Sequence, residues 1–462
     1  MGGAIARIAG GRAHFDGAYS ADEQALSPAF ASGRGGASLA ALGQETSIMR
    51  LPRSSIGAAF ATALLFTGPI GCATPASPKS PAKMSAADAQ ALYLRRYERY
   101  AKGESGAGLD AYDTLAPLGG AARWHPLPVE TPAPALAPAL AEARAYAAAA
   151  NSSAFLVWHD GALIEQSYFG TTHQDSEIVS KSLAKPLGVL AVGRAIAKGR
   201  IASLDQPMAD FITEWRGTPR AAITIREVLG MRSGLLPQGP APGADNVLNR
   251  AYLSPYHDRV LVEEYPLVVS PGSRYDYSNA NGDLVAPLIE RATGVPYETW
   301  LAREVLAPIG ARGGRIWMNR PGGTPHSGCC ALIPADSYLR LGILLAHDGV
   351  WQGHRLLPEG FVTAMTTPSA QNPHAGLGVY LGSPYTQWRG PGNPESSVGR
   401  AYHSAPYLAP DLFLFDGNSN QVVYIVPSRR LVILRTGERP PATPVWDNAR
   451  LPNIVLGALG TR

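Results

Sequence analysis

The chain has 462 residues and a formal net charge of +4, with 40 Lys and Arg against 36 Asp and Glu. Charged residues make up 16%, below the roughly 25% of an average domain, which argues against a solvated disordered chain; dispersed Arg gives no basic stripe for nucleic acid. The 50 Gly and 40 Pro imply many loops, the lack of a G-X-Y repeat excludes collagen, and 3 Cys cannot frame a disulfide-stapled fold.

Residues 1–48 carry no apolar period and no capping pattern, and read as an upstream extension of a chain that starts at Met49. Arg50 and Arg53 then precede an apolar run from Ile56 to Gly71, too short to span a bilayer comfortably. Residues 49–72, ending Ile70-Gly71-Cys72, resemble a bacterial lipoprotein signal, which implies that Cys72 is lipidated and becomes the mature N-terminus. An ordinary secretory signal cut nearby is the alternative. Residues 73–85 form a Pro/Ser tether. The protein is therefore expected to be exported, as a cell-envelope lipoprotein held to a membrane by a lipid anchor.

Leu92, Tyr93, Tyr97 and Tyr100 predict a helix over 86–101, opening an N-terminal helical and connector segment, 86–138. A short Ala-rich helix runs to Ala150. Strands are predicted over Ala154 to Trp158 and Ala162 to Tyr168, joined by a His159-Asp160-Gly161 turn. A helix over Ser182 to Lys198 stops at Gly199. Residues 205–306 read as helices and loops, followed by a helix over Ala335 to His347. A second strand pair, Val422 to Val426 and Leu431 to Arg435, precedes a last helix over Trp446 to Leu459. The expected fold is α+β: an antiparallel sheet formed from both chain ends, flanked by helices, with an inserted helical region.

Ser182-Leu183-Ala184-Lys185 places a hydroxyl and an amine at i and i+3, on one helix face. A serine needs a neighbouring base to become a nucleophile, and a lysine serves only if its surroundings lower its pKa. The spacing is weak evidence alone, because Ser80-Pro81-Ala82-Lys83 repeats it in the tether. Tyr277-Ser278-Asn279, in the loop opened by Pro271-Gly272, adds a phenol able to shuttle a proton and an amide able to bind a substrate carbonyl. Between them lies Ile223-Thr224-Ile225-Arg226, running on to Ser233-Gly234-Leu235.

In this order the motifs resemble the serine beta-lactamase and penicillin-binding-protein superfamily. The likeness is to its class C-like branch, with esterases and 6-aminohexanoate-dimer hydrolases, over about Ala154 to Gly437. The resemblance implies a beta-lactamase/transpeptidase-like serine hydrolase over residues 139–462. Ser182 would form an acyl-enzyme, with Lys185 and Tyr277 relaying the proton and either of them the base in each half. It implies no cofactor and no metal.

The Lys-Thr-Gly of beta-lactamases is missing. Four His-x-Gly triplets are set aside as a replacement, His326-Ser327-Gly328 because it precedes the long helix. Phe415-Asp416-Gly417 is the best positional match and resembles the aromatic-x-Gly of the family's esterases. It implies an oxyanion hole from the backbone N–H groups of Ser182 and Asn418, with Asn279, Gly417 and Gln421 binding substrate. Losing the motif's Lys removes an anchor for a substrate carboxylate. That tilts the expectation toward neutral carboxylic esters or small amides, with a D,D-carboxypeptidase or class C-like beta-lactamase as the alternative and a non-catalytic penicillin-binding-like envelope protein third. Cys329 and Cys330 read as small buried residues, since adjacent cysteines rarely bridge. Trp317 lines the pocket or packs.

Overall fold

Two apolar runs rich in β-branched residues form the middle of a six-stranded antiparallel sheet. In β9 (Gln421–Val426), Val422, Tyr424 and Val426 belong to one buried cluster, and Val423 and Ile425 to another. β10 (Leu431–Gly437) divides the same way, Leu431 and Ile433 against Val432 and Leu434. Successive side chains of a strand point to opposite faces, so a strand covered on both sides reads as continuous apolar sequence. The computed structural model describes residues 84–102, 112–390 and 400–460, all within one compact unit. The upstream extension, the signal segment with Cys72 and the tether up to residue 83 lie outside the described residues.

The sheet draws on both ends of this region. β2 (Ser152–His159) and β3 (Ala162–Tyr168) are the expected hairpin, turning at Asp160-Gly161 with φ of 49° and 111°. With β7 (Tyr380–Leu381) and β8 (Phe413–Gly417) completing the sheet, the strand order is β3-β2-β10-β9-β8-β7. The α+β architecture is as expected.

One face is covered by α2 (Ala137–Ala149) and the C-terminal helix (Arg450–Ala458), whose Leu140, Ala147, Leu451 and Val455 pack with Phe155 and Ile433. The C-terminal helix starts four residues later than expected. The other face meets α3 (Lys185–Ala197) and the helix Ala335–Ala346. Gly342 permits that approach, since a Cβ there would stand 2.7 Å from Val432 Cγ1.

A second, smaller sheet was not foreseen. Its strands are β1 (Leu115–Leu118), β4 (Glu177–Val179), β5 (Gly314–Trp317) and β6 (Ala331–Pro334), in the order β1-β5-β6-β4. β1 falls inside the stretch read as a connector and pairs with β5, Leu115 opposite Trp317. Its sheet is continuous with α1 (Ala86–Ala101) through Arg96, which forks onto Asp113 at 2.7 and 2.8 Å. Among the described residues no helix is long and apolar enough to cross a membrane.

Candidate active site

Ser182 lies in a single 3₁₀ turn, Lys181–Ala184, that runs directly into α3 at Lys185. In a 3₁₀ turn residues i and i+3 eclipse, so hydroxyl and amine stand one above the other. Lys185 Nζ donates to Ser182 Oγ at 3.0 Å, to Asn279 Oδ1 at 2.8 Å and to the Gly328 carbonyl at 2.8 Å. The Tyr277 hydroxyl donates to the same Oγ at 2.6 Å, and its ring centroid lies 4.8 Å from the ammonium. Lys185 is buried, and these three partners surround its Nζ.

The loop carrying Tyr277 is fixed by the segment that precedes it. Gly272 N–H donates to Arg232 O and Asp276 N–H to Met231 O. Ser233 Oγ donates to Asn281 Oδ1 at 2.6 Å, tying Ser233-Gly234-Leu235 to the short helix Asn279–Asp283. Gly234 has φ 76°, where a side chain would be strained.

Gly417 ends β8 beside the Ser182 turn, and a Cβ on it would lie 2.9 Å from Leu183 N and 3.0 Å from Ser180 O. Phe415 is fully buried, and Asp416 is paired with Arg389. Ser182, Tyr277, Asn279 and Asn418 all border one solvent-open cleft. Gln421 does not: it is buried on β9, and its amide donates to Val179 O at 2.7 Å, joining the two sheets. Trp317 packs, with its ring 3.8 Å from that of His326. Cys329 borders the cleft, Cys330 is fully buried with φ 74°, and their sulfurs are bonded to each other, against the expectation of two separate thiols.

Two participants escaped the sequence reading. Gly328, in the His326-Ser327-Gly328 triplet set aside above, supplies the carbonyl that receives Lys185. Its own N–H donates to Asp283 Oδ1 at 2.8 Å. Glycine is required at 282, since a Cβ there would stand 2.6 Å from Gly328 Cα, while a Cβ on Gly328 would meet Asn279 O at a tight 3.1 Å. Burial raises the Asp283 carboxyl above the usual range, against the lowering effects of His257, the Gly328 N–H and Lys185. Asp283, His257 and His326 are fully buried with ligand-type atoms within 4.8 Å of one another. The two imidazoles stack at 4.0 Å and 16°, so their in-plane lone pairs run side by side instead of converging on one ion. Burial lowers both histidines, His257 to about 3.

The chemistry available here is nucleophilic attack by a hydroxyl whose oxygen two proton-exchanging groups already touch. The Beta-lactamase family profile matches residues 138–450. Esterase EstB of Burkholderia gladioli is 33% identical over 149 residues, 28% of this chain and 36% of that protein. The 6-aminohexanoate-dimer hydrolase of Paenarthrobacter ureafaciens is 24% identical over 272 residues, 54% of this chain and 66% of that one. Neither alignment reaches two thirds of the relative's length. A penicillin-binding protein homologue from Caulobacter crescentus shares the fold with a TM-score of 0.53 at 17% identity, covering 71% of this chain and 99% of its own. With the profile spanning more than half of the sequence on a shared fold, the chain belongs to the Beta-lactamase family.

Proposed function

We propose that the protein is an exported serine hydrolase that cleaves carboxylic esters or small amides through an acyl-enzyme on Ser182. The observation that carries this reading is the convergence of Lys185 Nζ and the Tyr277 hydroxyl on Ser182 Oγ, at 3.0 and 2.6 Å. The reaction starts from the Lys185–Tyr277 pair one proton short, as a neutral Lys185 amine or a Tyr277 phenolate. As Oγ bonds to the substrate carbonyl carbon and the carbonyl electrons move onto its oxygen, the Oγ proton fills that vacancy. The pair hands it to the alcohol or amine as the oxyanion collapses and the bond to that group breaks. Water then adds to the acyl carbon, the same pair takes its proton, and the acid leaves as Oγ is reprotonated. The backbone N–H groups of Ser182 and Asn418 would hold the oxyanion. Asn279, already held by Lys185, would present its amide to the substrate, and Gly417 would let the strand pass close to it. A lipid on Cys72 would keep the protein on a membrane in the cell envelope.

The names of the relatives support an ester or amide substrate: one is an esterase, the other hydrolyses an aminohexanoate dimer. The second reading, a D,D-carboxypeptidase or beta-lactamase, draws on Lys181, the one Lys or Arg among the described residues that border the cleft. A fluorescent serine-hydrolase probe and fluorescent penicillin, applied to wild type and Ser182→Ala, separate the two. Probe labelling lost in the variant, with little penicillin labelling, is the expected result. Strong Ser182-dependent penicillin labelling supports the second reading, and no labelling of wild type by either reagent removes the catalytic one.

A further inference from the structure

The family match begins at residue 138, yet the cleft beside Ser182 is bordered by Tyr100 and Tyr112, which precede it. We infer that the segment carrying these two tyrosines is a working wall of the site, selecting substrates that place an uncharged aromatic ring beside Ser182. The inference rests on the hydrolase reading above and names its substrate class.

The segment is built in. Besides gripping Asp113, the buried Arg96 donates through Nη1 to Leu253 O at 3.1 Å and Asn319 O at 2.8 Å, so α1 is tied to two separate parts of the family region. Its guanidinium lies 5.7 Å from the Trp317 ring centroid. Thr114 O accepts from Met318 N–H at 2.8 Å, extending the β1–β5 pairing.

The same interactions set an aromatic cluster at the cleft. Tyr112 meets Trp317 edge-on at 5.3 Å, Trp317 meets Tyr252 at 5.5 Å, and Tyr252 meets Tyr100 at 6.1 Å. Tyr252 and Tyr265 also border the cleft, giving four tyrosines besides Tyr277. Burial raises the phenols of Tyr100, Tyr112, Tyr252 and Tyr265, so this wall is uncharged at neutral pH. Two phenol oxygens face protein atoms: Tyr265 donates to Leu236 O at 3.0 Å, and the Tyr112 hydroxyl lies 3.3 Å from Cys330 Sγ. A flat ring with a positive edge and negative face suits such a wall better than a saturated ring of equal size. An ionised substituent packed on these phenol rings would lose hydration that the rings do not replace.

The test compares kcat/KM for ethyl phenylacetate and ethyl cyclohexylacetate, and for benzyl acetate and cyclohexylmethyl acetate, which place the ring on the acyl or the leaving side. In wild type the aromatic member of at least one pair should be preferred, by about 2- to 10-fold for each tyrosine that the substrate ring packs against. Tyr100→Leu, at a half-buried position, and Tyr112→Leu should each bring that ratio toward unity. Melting curves check that both variants fold, and Tyr100→Leu alone decides if the other does not. A wild type indifferent to the ring, or ratios unmoved in the folded variants, overturns the inference. If wild type hydrolyses neither these esters nor phenylacetamide and cyclohexylacetamide, the hydrolase reading has failed; calorimetry of the two amides binding to Ser182→Ala then tests the wall itself, and equal affinities overturn it.

Discussion

Lys185 Nζ has three hydrogen-bond partners, and one of these is a backbone carbonyl that must itself be aimed. Gly328 presents that carbonyl because its N–H is held by Asp283 Oδ1 and because Gly282 lets the two backbones touch. Replacing Asp283 with Ala leaves a buried N–H unpaired, at about 1–3 kcal/mol, and frees the peptide that receives Lys185. We expect kcat/KM of the proposed hydrolysis to fall about 10- to 100-fold, in proportion to that lost positioning energy. Asp283→Asn, which keeps an acceptor oxygen, should restore most of it. Equal rates for wild type and the Ala variant would remove Asp283 from the site. These two residues also mark the limit of legibility at this scale. Ser182, Lys185, Tyr277 and Asn279 meet through side chains whose types and order can be read. Gly328 acts through a carbonyl that every residue possesses, and Asp283 acts through Gly328. The Gln421 amide shows the reverse case: a matching residue type whose neighbours in space, Val179 above all, give it a structural bond.

Elements were legible where length and composition were emphatic. β9 and β10 are apolar on both faces, and α1 begins and ends where its period predicts. β1, β4, β5 and β6 have three or four residues each, and Leu-Ala-Pro-Leu in β1 carries a proline, so pairing with distant partners defines them rather than propensity. The helix Val285–Thr293, which packs against α3, carries a titration of its own. Glu290 accepts from Tyr297 N–H at 3.3 Å, and burial pushes its carboxyl from 4.5 up to about 7, with Glu298 and Asp258 adding to the rise. A carboxyl raised in the folded state binds its proton more tightly there than in the unfolded chain. Its contribution is therefore fully present below pH 4.5 and lost as pH rises through 7. The loss amounts to about 3 kcal/mol at most. Glu290→Gln should match wild type in urea melts near pH 4.5 and exceed it by about 1–3 kcal/mol above pH 7.5. A difference that does not change with pH would show that Glu290 does not titrate in this window.

At the scale of the whole molecule, the cleft draws on segments far apart in the chain, among them the Ser182 turn, the Tyr277 loop, the end of β8 and the segment of α1 and β1. The first three lie within the family match and the fourth outside it. Whether the fourth folds together with the others decides whether the site exists without it. Arg96 is the joint: its side chain is 5% exposed against 26% for Asp113, and it bridges Asp113, Leu253 and Asn319. Removing one partner of a buried pair strands the other and leaves carbonyls without donors, which costs about 3 kcal/mol. If the segment and the family region melt as one unit, Arg96→Ala should lower a single transition by roughly 5 °C, with tyrosine and tryptophan signals moving together. The coupled signals matter because Trp317 sits within the family region, while Tyr93, Tyr100 and Tyr112 sit outside it. An early partial transition, with the main one left where it is in wild type, would mean that the segment unfolds alone and that the cleft can lose this wall while the Ser182 turn stays folded.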